Sequence, residues 1–374
     1  RRAISWRESL SEMPQFAVRL HLNLYISTDG RMNSIWQDFL RQQSAEIQDG
    51  VVQHFGDAQG ELAAAQNGTV LCDLSRFGTL KVCGEDAQAF LQSMLSSDVR
   101  EASAKHAQLS SLNSPKGRML ATFLIWRTGA DYFLQLPRSL CAAMHKRLSM
   151  YVLRAKVKIE DVSDQQISLG LSGANASALI QACVGAVPEE AMAATQHDNT
   201  SVVHLGQQRF QLNTTPQHAP ALWQCLSGNA RPAGIACWDW LGIRAGIPVI
   251  TPSTQEQFVP QMANLELIGG VSFKKGCYPG QEIVARMQYL GKLKRRMYLA
   301  HVESGAAPQA GDELYSAEME GQPSGMVVNA AAAPGGGYDL LAVVQISSRE
   351  TQTVHIQSLQ GKALDFMPLP YPIS

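Results

Sequence analysis

The sequence predicts an α+β fold: two related units of mixed helix and strand, followed by a small all-β barrel. Three observations predict it. Strand-like alternation and helical spacing take turns twice between residues 69 and 226. A short helix over 238–246 closes the second unit, with Gly246 at its end and Pro248 beyond. After Gly291 the pattern becomes short strands split by Gly/Pro loops.

In chain order, residues 35–52 read as a helix carrying Ile35, Trp36, Phe39, Leu40 and Ile47. Residues 69–84 alternate like strand, through Val70, Leu71, Leu80 and Val82. Over 85–96, Ala89, Phe90, Met94 and Leu95 recur at helical spacing, with Asp86 near the start where an acid favours the helix dipole. Residues 117–136 read as two strands around Thr128-Gly129, a hairpin signal, and 139–151 as a helix. The second unit repeats the scheme: strand-rich 157–171, helical 175–184, a loop rich in Pro, Glu and Ala, strand-like 202–212 and helical 219–226. This β-α-β alternation suggests two related units rather than a doubly wound sheet.

The barrel strands are expected at 297–302, 313–316, 325–329, 338–344 and 353–357. Pro334-Gly335-Gly336-Gly337 is a loop tip, since no strand–Gly loop–helix context makes it a phosphate cradle. The expected divisions are an N-terminal extension over 1–50, α+β units over 51–160 and 161–290, and the barrel over 291–374. Residues 1–31 read unlike the rest, and the chain begins with Arg-Arg. A tag, a leader or an over-extended reading frame with Met32 as the start is expected there, partly artefactual or disordered.

A formal net charge of -1 gives no whole-protein field for nucleic acid or anionic membrane. The seven cysteines are scattered, odd in number and form no Cys-x-x-Cys pair. That argues against a disulfide framework, against a zinc or iron–sulfur site made by this chain alone, and for a reducing cytoplasm. No apolar run approaches the length of a membrane span.

Residues 272–296 are the most informative stretch. Cys277 sits among Gly276, Pro279 and Gly280, beside Lys274 and Lys275, so it occupies a specified loop rather than a strand or helix interior. Two lysines could lower a thiol pKa and make Cys277 a nucleophile, a redox thiol or a transient metal ligand. The alternative is a free cysteine packed as a small hydrophobe. Lys292, Lys294, Arg295 and Arg296 are either a solvated face or an anion site. The 113–118 loop, with Lys116 and Arg118, is either a hairpin tip or a second such site. Trp238 and Trp240 read as core, or as a cleft lining that stacks on a flat heterocycle.

The run Lys275-Gly276-Cys277-Tyr278-Pro279-Gly280-Gln281-Glu282, followed by Val284-Ala285-Arg286 and Lys294-Arg295, resembles the signature of the YgfZ proteins, folate-binding relatives of the glycine-cleavage T-protein. Other matches follow in order: Asp73-Leu74-Ser75, Gly84-Glu85-Asp86-Ala87, Phe90-Leu91-Gln92, Lys116-Gly117-Arg118, Ala245-Gly246-Ile247-Pro248, Phe258-Val259-Pro260-Gln261 and Asn264-Leu265. The resemblance covers about 70–370. It implies α+β domains arranged in a ring around a cavity for a tetrahydrofolate or a derivative, with the C-terminal β-barrel beside them.

Departures choose between the relatives. T-proteins carry an aspartate after the Gly-x-Ile/Leu stretch; here the run is Gly117-Arg118-Met119-Leu120-Ala121-Thr122. Their pterin-reading glutamate is also missing from Leu205-Gly206-Gln207-Gln208-Arg209-Phe210. The resemblance therefore implies no classical aminomethyltransferase. Carried over residue by residue, the aromatic positions that face folate fall on Phe77, where a relative has Trp, and on Trp238, and the motif falls on Lys275, Gly276, Cys277, Tyr278, Gly280, Gln281, Glu282 and Arg286. Arg118 is a further candidate folate contact, and Arg244 is a mismatch, where relatives often have Glu, that is expected to meet a glutamyl tail rather than the pterin. The implied function is a folate-binding accessory protein for iron–sulfur cluster assembly or repair, with tRNA modification downstream and Cys277 at the cavity rim. Its partners would be iron–sulfur client enzymes or assembly proteins, not nucleic acid or membrane, and it would act as a cytoplasmic monomer with no metal of its own. Two alternatives are an aminomethyl- or demethyl-transferase using Glu282, and a tRNA-binding module, which would need a continuous basic face.

Overall fold

The computed structural model describes residues 32–373. The expectations for 1–31 lie outside the described residues.

The chain enters the fold through helix α1 (Ser34–Gln42), capped by Asn33, whose side chain accepts from Trp36 N at 3.1 Å. The helix expected over 35–52 stops early. Ser44 turns to φ +67°, and β1 (Glu46–Gln48) and β2 (Val51–His54) form a hairpin across Asp49-Gly50, both at positive φ. Asp-Gly between short strands is a hairpin signal that outweighs the apolar spacing of Ile47. Helix α2 (Ala58–Asn67), which the sequence reading passed over, is capped by Asp57 accepting from Gly60 N at 3.0 Å.

Strands β3 (Val70–Asp73), β4 (Phe77–Cys83), β5 (Gln108–Asn113), β6 (Met119–Thr128), β7 (Asp131–Pro137) and β8 (Lys158–Asp161) follow, with α3 (Ala87–Met94) and α4 (Arg138–Val152) between them. Gly129 takes φ +60° at the tip of the β6–β7 hairpin, as the Thr-Gly pair predicts. The second series is β9 (Ile167–Ser172), α5 (Ala176–Val184), β10 (Ala194–His197), β11 (Thr200–Gly206), β12 (Arg209–Thr214), α6 (Ala219–Ser227), β13 (Arg231–Ala233) and α7 (Ile235–Arg244).

These strands make a five-stranded antiparallel sheet, β5-β6-β7-β4-β8, and a six-stranded sheet, β10-β11-β12-β9-β3-β13. The early strand β3 lies in the second sheet, antiparallel to β9 and parallel to β13, so the two sheets interleave along the sequence. Helices α3 and α4 share the first sheet's core; α1, α5 and α6 share the second's, where Trp36 and Trp223 are fully buried. Trp36 Nε1 donates to Asp73 Oδ1 at 2.7 Å, satisfying an indole that is wholly out of water.

Helices α5 and α6 carry a Cys183–Cys225 disulfide with Cα atoms 5.9 Å apart. This corrects the expectation drawn from cysteine scatter: the 42-residue separation hid two helices packed side by side. Of the remaining cysteines, Cys72, Cys141 and Cys237 are buried, Cys83 is half-buried and Cys277 is exposed.

After α8 (Gln281–Tyr289) come β14 (Arg295–Val302), β15 (Glu313–Tyr315), β16 (Gly325–Ala332), β17 (Tyr338–Gln345), α9 (Ile346–Thr351), β18 (His355–Ile356) and β19 (Asp365–Met367). They form a curled, all-antiparallel half-barrel in the order β18-β15-β16-β17-β14-β19. Helix α7 packs on β16 and β17, and Trp240 Nε1 donates to buried Asp339 Oδ2 at 2.9 Å, so Trp240 joins the half-barrel to the α+β sheets. Among the described residues no helix is long and apolar enough to cross a membrane.

Candidate functional site

The two α+β sheets, α7 and the half-barrel converge on one cavity of about 340 Å³. That falls in the range of small-molecule sites. Leu109, Leu124 and Leu205 supply an apolar lining; Gln135, Gln211, Arg76 and Arg209 supply polar groups. The half-barrel closes it with the β14–β15 loop through Ala307–Ala310, fastened where Ser253 Oγ donates to Ala310 O at 2.7 Å.

Both expected aromatic residues line this cavity, and each already holds an arginine. Trp238 lies on the six-stranded sheet because Gly170 of β9 has no side chain: a Cβ there would come within 2.6 Å of the indole Cε3. The Arg209 guanidinium stands 5.0 Å from the Trp238 ring centre. Across the sheet pair, the Arg76 guanidinium stands 4.7 Å from the Phe77 ring and pairs with Asp239 at 2.6 Å. Burial raises the Asp239 pKa and Arg76 opposes that rise. Burial alone pulls Arg209 down to about 10.

Arg76 and Arg209 are the cavity-lining cations that sequence reasoning missed. A signal for Arg209 was available: it is the one Lys, Arg, Asp or Glu in the strand-like run 202–212. The cations expected in this role lie elsewhere. Arg118 donates from Nη1 to the carbonyls of Glu256 and Gln257, at 3.0 and 2.7 Å, and does not line the cavity. Arg244 is exposed at the end of α7, 3.6 Å from Asp339 and 3.1 Å from Met367 Sδ.

Strand β6 refines the question of the transferase carboxylate. Its alternation turns Ala121 into the core behind the sheet, whereas Thr122 lines the cavity. Thr122 Oγ1 donates to Pro248 O at 3.3 Å and accepts from Ile250 N at 3.2 Å. Within the 117–122 run, the position that lines the cavity is therefore Thr122. Asp239 is the one carboxylate among the described lining residues, and Arg76 engages it.

The motif loop is built around Lys275 and Gly280. Lys275 is buried and its Nζ donates to Gln92 O at 2.6 Å and to Leu95 O, satisfying carbonyls where α3 ends. Burial lowers its pKa to about 8, against the pull of Asp98. Its ammonium stands 5.0 Å from the ring of Tyr278, whose buried hydroxyl is pushed up to about 12 by desolvation. Gly280 takes φ +78° and starts α8; a Cβ there would fall 2.4 Å from Ser114 O and 2.6 Å from Gly117 Cα. The motif loop and the 113–118 loop are thus in backbone contact.

Lys275 therefore builds the loop, and the thiol of Cys277 is free and exposed. Gly276 is exposed in open space, Gln281 N donates to Tyr278 O at 3.2 Å, and Glu282 and Arg286 project from α8 on the exposed side. None of these motif residues lines the cavity, so the structure separates the motif surface from the Trp238–Phe77 site. The basic run divides likewise. Arg296 is buried against Glu266 and Gln261 O, Arg295 donates to Pro323 O at 3.3 Å, and Lys292 and Lys294 remain exposed.

Comparison with known proteins places this geometry in context. Residues 39–275 match the family model of the GCVT N-terminal domain. The tRNA-modifying protein YgfZ of Sodalis glossinidius is 30% identical over 306 residues, covering 81% of this chain and 93% of that protein. The tRNA-modifying protein YgfZ of Colwellia psychrerythraea is 35% identical over 233 residues, covering 62% of this chain and 71% of that one. The crystal structure of glycine cleavage system aminomethyltransferase T from Bartonella henselae superposes with a TM-score of 0.75 at 18% identity, covering 90% of this chain and 97% of that one. That structure shares the fold.

Proposed function

The chain belongs to the YgfZ family, within the GCVT-domain proteins, and from that premise we propose a folate-binding accessory protein for iron–sulfur cluster assembly or repair. The observation that carries the ligand half of the reading is the cavity where α7 meets three sheets, lined by Trp238 and Phe77 and polar at Gln135 and Gln211. Its size and mixed lining suit a flat heterocycle held by edge hydrogen bonds, and a tetrahydrofolate is the ligand class that the family resemblance implies. The residues present fit such a ring. Gln135 Nε2 is buried without a partner and Gln211 shares the cavity wall.

Within this reading the motif surface serves the partner, not the folate. Cys277, free and exposed on a loop pinned by Lys275 and Gly280, is presented to an iron–sulfur client enzyme or an assembly protein. The protein acts as a cytoplasmic monomer, and tRNA modification follows from the state of its clients, in keeping with the relatives' name. Aminomethyl transfer is disfavoured because Thr122 occupies the cavity-facing position and Asp239 is already paired.

The test is complementation of a host lacking its YgfZ protein. Wild-type protein should restore cluster occupancy of tRNA-thiolating iron–sulfur enzymes and the modified nucleosides they make. Normal cluster occupancy in the unsupplemented host would remove the accessory role.

A further inference from the structure

Arg209 is a buried cation with no counter-charge. Among the described residues it forms no ion pair, its guanidinium makes no hydrogen bond, and its Nε and Nη1 are buried without partners. Its Nη2 lies 4.0 Å from the place a Cβ would take on Gly242, a residue of the cavity wall. The other cavity cation, Arg76, is balanced by Asp239 at 2.6 Å. The lining thus holds one positive charge in excess. An unpaired buried charge is costly, and the indole face of Trp238 offsets only part of that cost.

We propose that Arg209 is the counter-charge for a carboxylate on the cavity's ligand, which makes the site selective for a planar ring system that carries one carboxylate into the cavity. This rests on the reading of the cavity as a folate site and adds which part of the ligand must be charged and which residue meets it. One excess positive charge matches a monoanion. A phosphate dianion would exchange an unpaired cation for an unpaired anion, with no second unpaired cation among the described lining residues to balance it. Arg118 and Arg244 cannot serve instead, since neither lines the cavity.

The test crosses one residue with one ligand charge. The probes are 5-formyltetrahydrofolate and its diamide, in which both tail carboxylates are amides. Wild-type protein should bind the diamide about 30-fold more weakly, the scale of one hydrogen bond to a charged group. Arg209→Met should bind the two probes within about threefold of each other. The ligand-free melting temperature of Arg209→Met should be equal to or above that of wild type, because removing an unpaired buried charge relieves its desolvation; a structural role for Arg209 would lower it. Arg209→Lys, which keeps the charge, should retain part of the discrimination. Equal binding of both probes by wild type, or undiminished discrimination in Arg209→Met, overturns the assignment while leaving the cavity a folate site. Failure of wild type to bind either probe removes the folate reading and this inference with it.

Discussion

Gly280 and Gly117 meet backbone to backbone: a Cβ on Gly280 would lie 2.6 Å from Gly117 Cα, and one on Gly117 would lie 3.2 Å from Gly280 O. Both residues have positive φ, +78° and +72°. Two loops distant in sequence are joined here without a side chain on either side. Gly280→Ala should cost about 2–4 kcal/mol, combining left-handed strain with the clash. Gly117→Ala should push on Ile283, and the double variant should cost less than the two singles summed, since both break one contact. Urea unfolding of the four proteins measures this.

Gly170 offers a second test, acting through the Trp238 indole. A methyl there meets Trp238 at 2.6 Å, so Gly170→Ala must shift the indole from its place on β9. Folate affinity should fall by roughly tenfold or more, with loss of some stability. Unchanged affinity would mean that Trp238 does not shape the ligand site.

Lys275→Met should destabilise by about 1–3 kcal/mol, because Gln92 O and Leu95 O lose their donor where α3 ends. Its pH dependence has a definite sign. The folded-state pKa, about 8, lies below the ordinary 10.5, so the buried charge costs stability in full below pH 8. That cost is relieved as pH rises toward 10.5, where the unfolded chain still binds the proton. The stability gap between wild type and Lys275→Met should therefore widen between pH 7 and 9.5. A gap that narrows would mean the charged form is the one favoured by burial.

Cys277→Ala should leave folate affinity unchanged, since Cys277 does not line the cavity, and should lower cluster occupancy in client enzymes. Full occupancy with this variant would reassign the motif loop to a structural role.

Reducing Cys183–Cys225 releases a constraint between residues 42 apart, worth up to about 4 kcal/mol on the chain-entropy account. Dithiothreitol should lower the melting temperature of wild type and leave that of Cys183→Ser unmoved. Insensitivity of wild type would mean that α5 and α6 are held by packing around Trp223 alone.

Much of the fold was legible because burial imposes period. The β6–β7 hairpin, the helices at 176–184 and 219–227 and the half-barrel strands all carry their apolar pattern locally. What escaped depends on partners far along the chain. The apolar spacing that suggested helix through Ile47 was overruled by Asp49-Gly50, and β3 crossed into the sheet of β9, which no local pattern reports. The site divided in the same way. Phe77 and Trp238, named through the family resemblance, both line the cavity. Arg76 and Arg209 were missed because a cation's role is set by what lies opposite it: Asp239 for one, no acid for the other. Lys275, read as a neighbour of Cys277, turned out to satisfy the carbonyls that end α3.

The central claim is that this cavity holds a reduced folate against Trp238. Calorimetric titration of 5-formyltetrahydrofolate into wild type and Gly170→Val tests it most directly. Wild type should show one saturable site, and binding should be at least tenfold weaker when valine displaces the indole. No binding to wild type, or equal binding by both proteins, would contradict it.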